Sequence, residues 1–255
     1  MRYLVVRKRT LKMAACALAV LILAVTLLVR SDAAAVYLGV NPRKTPIYRV
    51  QTTEKKVAIS FDAAWGAERT QSLLDTLKEY GVSATFFLVG FWVRKYPEYV
   101  KKIDEAGLEI GTHSNTHPHM PRLNETQMDL ELKESCASIE SVTNKKPELF
   151  RAPFGDYSDK MLNVCERAGL KTIQWDIDSL DWKDLTARAM SERVLSRVKP
   201  GSIVLFHNDG KYTPDALPVI LLGLKNKGYT VTHVGDLLLT GDYTIDHAGE
   251  MKAKQ

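Results

Sequence analysis

No acidic residue occurs in the first 30 positions, which hold Arg2, Arg7, Lys8, Arg9, Lys12 and Arg30 and so carry +6. The remaining 225 residues hold 29 basic and 30 acidic side chains, a balance of −1. The formal net charge of +5 therefore belongs to the N-terminus. That distribution gives no support to nucleic acid as a partner recognised through global charge. Cysteine is equally scarce, with three in 255 residues. Cys16 lies in an apolar run, while Cys136 and Cys165 fall in stretches that read as helices. Two such thiols make neither a disulfide framework nor zinc-finger spacing. An oxidising compartment would allow them to pair, but two separate buried thiols are the simpler reading. No internal repeat or low-complexity tract occurs.

The basic N-terminus runs into 17 uncharged, mostly apolar residues at 13–29. That is long for the hydrophobic region of a signal peptide (~7–15 residues) and at the short end for a membrane-spanning helix (~17–25). The preceding basic residues orient either version with its N-terminus in the cytoplasm. Ala33-Ala34-Ala35 offers small residues at about the spacing a signal peptidase reads. Residues 1–30 are thus expected to be a signal peptide or signal anchor, and the main domain is expected to be exported, secreted or membrane-anchored. Residues 31–53, with Asn41, Pro42, Pro46 and two adjacent threonines, read as an extended linker.

Beyond the linker, apolar runs and helical patterns alternate seven times. Strands are expected at 57–61, 84–89, 108–112, 149–151, 171–175, 202–206 and 229–232. Helices are expected near 68–80, 97–106, 124–143, 158–168, 186–198 and 214–227. Leu73, Leu74, Leu77 and Tyr80 share one helical face that Gly81 terminates, and Asn124 with Gln127 makes a capping box. This alternation implies parallel strands with crossover helices, an α/β layered sheet or barrel forming one domain over 54–240, with a tail at 241–255.

Polar residues cluster just past the strand ends. Asp62 follows the first strand, His113 and His117 the third, Arg151 the fourth, Asp178 and Asp181 the fifth and His207 the sixth. In parallel α/β folds that rim is where active sites are built. Two histidines four apart with no cysteine nearby suit a borderline cation such as zinc, and Gly111 and Pro118 place them in a turn. Asp62 and His207 offer the base and acid that hydrolysis of an acyl bond needs. Arg151 could hold Asp62 ionised, and Asp181 could raise the pKa of His207. Trp65, Trp92, Trp175 and Trp182 include residues beside this rim, where aromatic faces suit sugar rings.

These residues resemble the polysaccharide deacetylases, the NodB-homology group or carbohydrate esterase family four, over roughly 54–240. Ser60-Phe61-Asp62-Ala63 matches the first motif, Thr-Phe-Asp-Asp-Gly. His113-Ser114 with His117 matches His-[Ser/Thr]-x-x-His, and Arg151-Ala152-Pro153 matches Arg-x-Pro. Asp178-Ser179-Leu180-Asp181-Trp182 and Leu205-Phe206-His207 complete the ordered set. Within the family the chain looks closest to the sporulation-type, PdaB-like deacetylases, associated with spore cortex peptidoglycan.

The resemblance implies a deformed (β/α)7 barrel and an N-deacetylase of cell-wall glycan, located between the membranes of the developing spore. It implies Asp62 as catalytic base, oriented by Arg151, and His207 as acid, partnered by Asp181. His113 and His117 would hold a divalent metal, with zinc the expected ion. Trp182 and Leu205 would line the acetyl pocket, and a backbone N–H near Phe154 would face the oxyanion.

One position departs from the pattern. The family's second aspartate, which completes its Asp-His-His metal triad, is Ala63 here, and a methyl group cannot ligate a cation. Metal binding is expected to be weaker than the family norm, or to recruit His119 or Asp62. Two readings follow: a metal-dependent deacetylase, and a catalytically impaired glycan-binding or structural protein of the spore envelope.

Overall fold

A central parallel strand needs apolar residues on both faces, and Lys56–Ala63 supplies them, buried at every position after the first. In the computed structural model, which describes residues 8–29 and 43–254, it is an inner strand of the main sheet. The chain divides into two units, Met1–Arg43 and Lys44–Gln255.

The described part of the first unit is helix α1 (Lys8–Val29). Lys8, Arg9 and Lys12 fall in its first turns, and its described apolar side chains, Met13, Leu18 and Leu21 included, are exposed. Among the described residues no helix is long and apolar enough to cross a membrane. The expected cleavage tripeptide at 33–35 and the first part of the expected linker lie outside the described residues.

The second unit begins with β1 (Arg49–Val50) and β2 (Lys56–Ala63), followed by α2 (Thr70–Tyr80), β3 (Thr85–Leu88), α3 (Gly90–Lys95), α4 (Pro97–Glu105) and β4 (Glu109–Thr112). After these come α5 (Glu125–Thr143), β5 (Leu149–Phe150), α6 (Asp159–Arg167), β6 (Lys171–Thr172), β7 (Ile177–Asp178) and α7 (Ala187–Arg197). The unit ends with β8 (Ile203–His207), α8 (Thr213–Asn226), β9 (Thr230–Thr232), α9 (Val234–Leu237), β10 (Tyr243–Ile245) and β11 (Glu250–Ala253). The main sheet is parallel in the order β6-β5-β4-β3-β2-β8-β7, with β9 also beside β2. This is the expected α/β architecture, a curled half-barrel of the (β/α)7 type.

Local sequence accounts for several elements. Leu73, Leu74 and Leu77 bury the inner face of α2, and Gly81 ends it at φ 61°, a left-handed position that glycine adopts without cost. The side chain of Asn124 accepts from the Gln127 N–H, and Gln127 Oε1 accepts from the Asn124 N–H, forming the expected capping box of α5. Phe61 stacks on Phe86 at 4.8 Å and contacts Phe206 at 5.7 Å, packing β2 against its helix layer. Cys136 and Cys165 are free and buried in one cluster, and burial pushes their thiols up to about 11 and about 12.

Three expectations need correction. The strand expected at 171–175 forms only over Lys171–Thr172, and an unexpected β7 follows at Ile177–Asp178 on the opposite edge of the sheet, since β6 pairs with β5 and β7 pairs with β8. The expected linker ends earlier, because Ile47 and Val50 are buried and β1 pairs in parallel with β11. The expected C-terminal tail supplies β10 and β11, which pair antiparallel. Bridges from Ile47 to Ile173 and from Arg49 to Ser202 tie this N-terminal segment to both flanks of the open sheet. Two-residue strands carry no periodicity, so only the tertiary pairing reveals them.

Candidate active site

Register brings the rim residues together. Asp62 on β2 lies opposite Phe87 of β3 and His207 of β8, and Ala63 lies opposite Leu88. A groove of about 800 Å³ opens above these strand ends, lined among others by Asp62, His113, His117, Phe154, Trp182 and His207.

Arg151 sits beneath it, fully buried, and its Nη1 donates to Asp62 Oδ1 at 2.8 Å. Phe87 covers the guanidinium face at 4.0 Å and Nη2 donates to the Gln174 carbonyl. Burial pushes the Asp62 carboxyl up, but Arg151, with His113 and His207, outweighs it and holds the group below its usual value. Burial likewise lowers Arg151 against the pull of Asp62. The pair is charged, as the sequence suggested.

His207 faces it from β8. Asp181 Oδ1 lies 2.7 Å from His207 Nδ1, and Oδ2 accepts the His207 backbone N–H at 2.6 Å and the Thr213 hydroxyl at 2.9 Å. Burial alone would lower His207, yet Asp181 overrides it and the pKa is raised. Gly210 makes room here, since a Cβ there would stand 2.7 Å from Asp181 Oδ2 and 2.1 Å from Thr213 Oγ1. Asp178 accepts from the Trp182 indole N–H at 3.3 Å and from the Leu180 N–H at 2.8 Å, fixing the turn that carries Asp181.

The His113–His117 segment is the expected turn, with Ser114 at φ 70° and His117 at φ 59°. His113 Nδ1 is 2.8 Å from the Arg151 carbonyl, which can only accept, so Nδ1 carries the proton. Burial lowers His113, and lowers His117 to about 4. Sequence reasoning missed the clamp behind this turn. Glu131 of α5 accepts from the N–H groups of Asn115 and Thr116, both at 2.8 Å, and from the Thr116 hydroxyl. A glutamate on an amphipathic helix gives no sequence signal of such a role.

Exposed aromatics wall the groove. Trp65 is 60% exposed, Phe154 55% and Trp182 56%. Trp65 and Phe154 flank the His117 ring at 4.7 and 4.6 Å. Phe154 itself sits at φ 61°, Leu205 is buried at the groove floor, and Trp92 is core, donating its indole N–H to the Gly66 carbonyl.

A three-ligand metal does not fit these donors. Ala63 is fully buried and has no donor atom. Of the substitutes expected, His119 is instead paired with Asp156 and stacked on Phe154 at 4.1 Å. Asp62 Oδ2 lies 3.5 Å from His113 Nε2 but Asp62 is already committed to Arg151. Among the described residues no group of three or more His, Cys, Asp or Glu side chains could hold a metal ion.

Residues 49–173 match the polysaccharide deacetylase family model. A peptidoglycan-N-acetylglucosamine deacetylase of Bacillus cereus is 35% identical over 201 residues, covering 74% of this chain and 73% of that one. The chain belongs to the polysaccharide deacetylase family. Protein YlxY of Bacillus subtilis, which is uncharacterised, is 32% identical over 76% of this chain, and this chain spans 60% of its length. Wild-type BA3943 of Bacillus anthracis, a family-four (CE4) pseudoenzyme, superposes with a TM-score of 0.74 at 34% identity, covering 78% of this chain and 70% of that one. A BA3943 mutant with restored enzymatic activity superposes with the same score at 36% identity, covering 78% and 73%.

Proposed function

We propose that this chain is a glycan-binding member of the polysaccharide deacetylase family in which hydrolysis is impaired, acting on N-acetylated cell-wall glycan. The observation that carries the reading is the donor set: Ala63 supplies nothing where a third ligand is needed, and neither His119 nor Asp62 replaces it. Deacetylation in this family normally draws on a divalent metal, usually zinc, to activate water and polarise the acetyl carbonyl. Two imidazoles alone are one ligand short of such a site. The aromatic walls of the groove support glycan binding, since sugar rings stack on exposed aromatic faces. The pseudoenzyme BA3943 and its reactivated mutant are precedents on the same scaffold.

A second reading, an active N-deacetylase, is favoured by the intact Asp62–Arg151 and His207–Asp181 pairs, which binding alone does not require. There Asp62 would take a proton from water and His207 would give one to the departing amine. Export is supported by the basic segment followed by the apolar run at 13–29, leaving the chain secreted or held at the membrane. Action on spore cortex peptidoglycan rests on the likeness to sporulation-type deacetylases.

The deciding experiment measures zinc stoichiometry and acetate release from N-acetylglucosamine oligomers, with zinc, cobalt or chelator. Wild type is expected to bind zinc far below unit stoichiometry and to release no acetate, while Ala63→Asp gains both. A wild-type zinc stoichiometry near one at sub-micromolar affinity, with acetate release abolished in His207→Ala, establishes the active enzyme instead.

A further inference from the structure

Two residues of the histidine turn hold a backbone conformation that side chains with a Cβ rarely adopt, Ser114 at φ 70° and His117 at φ 59°. Such strain persists only where the surroundings over-determine it, and here two helices do so. From α3, the Gly90 and Phe91 N–H groups donate to the Ser114 and Asn115 carbonyls at 2.9 and 3.1 Å. Arg94 Nη1 donates to Asn115 Oδ1 at 2.8 Å and to the Ser138 hydroxyl at 2.9 Å. Position 90 needs glycine, since a Cβ there would stand 2.3 Å from Asn115 Oδ1. From α5, Glu134 accepts from the Asn115 amide at 2.5 Å. Glu131 takes the Asn115 and Thr116 N–H groups on Oε2 and the Thr116 hydroxyl on Oε1. One side chain thus satisfies the two backbone donors that immediately precede His117.

The His117 ring is the spacer of the groove wall. Trp65 stands edge-on to it at 4.7 Å and Phe154 at 4.6 Å, and both outer rings are more than half exposed. Phe91, whose N–H holds the Asn115 carbonyl, also backs Trp65 at 6.4 Å. Glu131 itself does not line the groove. We infer that Glu131 is a positioning residue for glycan binding: by holding the backbone at Asn115 and Thr116 it keeps the His117 ring between Trp65 and Phe154. It thereby fixes the aromatic faces on which a sugar stacks. This rests on the glycan-binding reading above and adds to it a residue that acts from behind the groove. Hydrogen bonding rather than charge carries the role. Glu131→Gln keeps an oxygen for the two N–H groups, and its amide can donate to the Thr116 hydroxyl oxygen instead of accepting from it. Glu131→Asp keeps the charge but is one methylene shorter and falls short of the turn.

The test measures the affinity of the full chain for an N-acetylglucosamine tetramer by calorimetry in chelator. Glu131→Ala and Glu131→Asp are expected to weaken binding at least about tenfold, and Glu131→Gln to stay within about twofold of wild type. In His117→Ala, adding Glu131→Ala is expected to change affinity less than about twofold, because the ring through which Glu131 acts is already gone. Wild-type affinity in Glu131→Ala, or the same loss with and without His117, overturns the inference. Weakened Glu131→Gln beside unaffected Glu131→Asp makes charge the cause and overturns it too. Should Glu131→Ala not fold, Glu131→Asp and Glu131→Gln carry the same comparison. Nuclear Overhauser contacts from the His117 ring to Trp65 and Phe154 need no ligand. They are expected in wild type and Glu131→Gln and are expected to vanish in Glu131→Ala and Glu131→Asp; their survival there overturns the positioning role. If wild type binds no tetramer, the glycan reading falls, and these ring contacts alone decide whether Glu131 holds His117.

Discussion

Arg151 and Asp62, 89 positions apart in sequence, form a fully buried ion pair at 2.8 Å directly beneath the groove. Taking two charges out of water is expensive, and each is tolerated only because the other is present. Arg151→Met should therefore strand the Asp62 carboxylate and lower unfolding free energy by about 3–5 kcal/mol. Adding Asp62→Asn should recover part of that loss. Urea denaturation of the two single variants and the double variant measures the coupling, and additive losses would show that the pair is not a unit.

The pairing of His207 with Asp181 raises the histidine above its ordinary value. The sign follows from linkage: a group whose folded pKa is raised contributes stability that is complete below the unfolded value and is lost as pH rises through the folded one. An NMR titration should place His207 above the ordinary value of about 6.5, and Asp181→Asn should move it down. The same substitution should remove stability at pH 6 more than at pH 9.

The N-terminal segment belongs to the domain. Deleting residues 44–53 removes buried Ile47 and Val50 and the partner of β11. Each apolar side chain is worth ~1.5–3 kcal/mol on burial, so the loss should exceed about 3 kcal/mol. A chain beginning at residue 54 should melt well below one beginning at residue 44 by calorimetry. Equal melting temperatures would return the segment to the status of a linker.

Much of the fold and the site is legible in the amino-acid sequence. The alternation of apolar runs with amphipathic stretches determines the α/β class, because strands and helices bury residues at different periods. Gly81 and the Asn124–Gln127 box mark helix ends, since capping is local chemistry. The ordered rim motifs name Asp62, His113, His117, Arg151, Asp181 and His207, and the replacement at Ala63 is visible as a single letter.

Tertiary structure decided what depends on distance. It alone shows that β1 joins β10 and β11, and that β6 and β7 stand on opposite edges. Two-residue strands have no pattern of their own and exist through their partners. It alone turns His119 toward Asp156 and places Glu131 behind the histidine turn. Finally, the sequence by itself determined that a metal ligand was missing at position 63. Only the folded geometry decided that no neighbour fills the gap: His119 is turned to Asp156, and Asp62 is held by Arg151 from beneath.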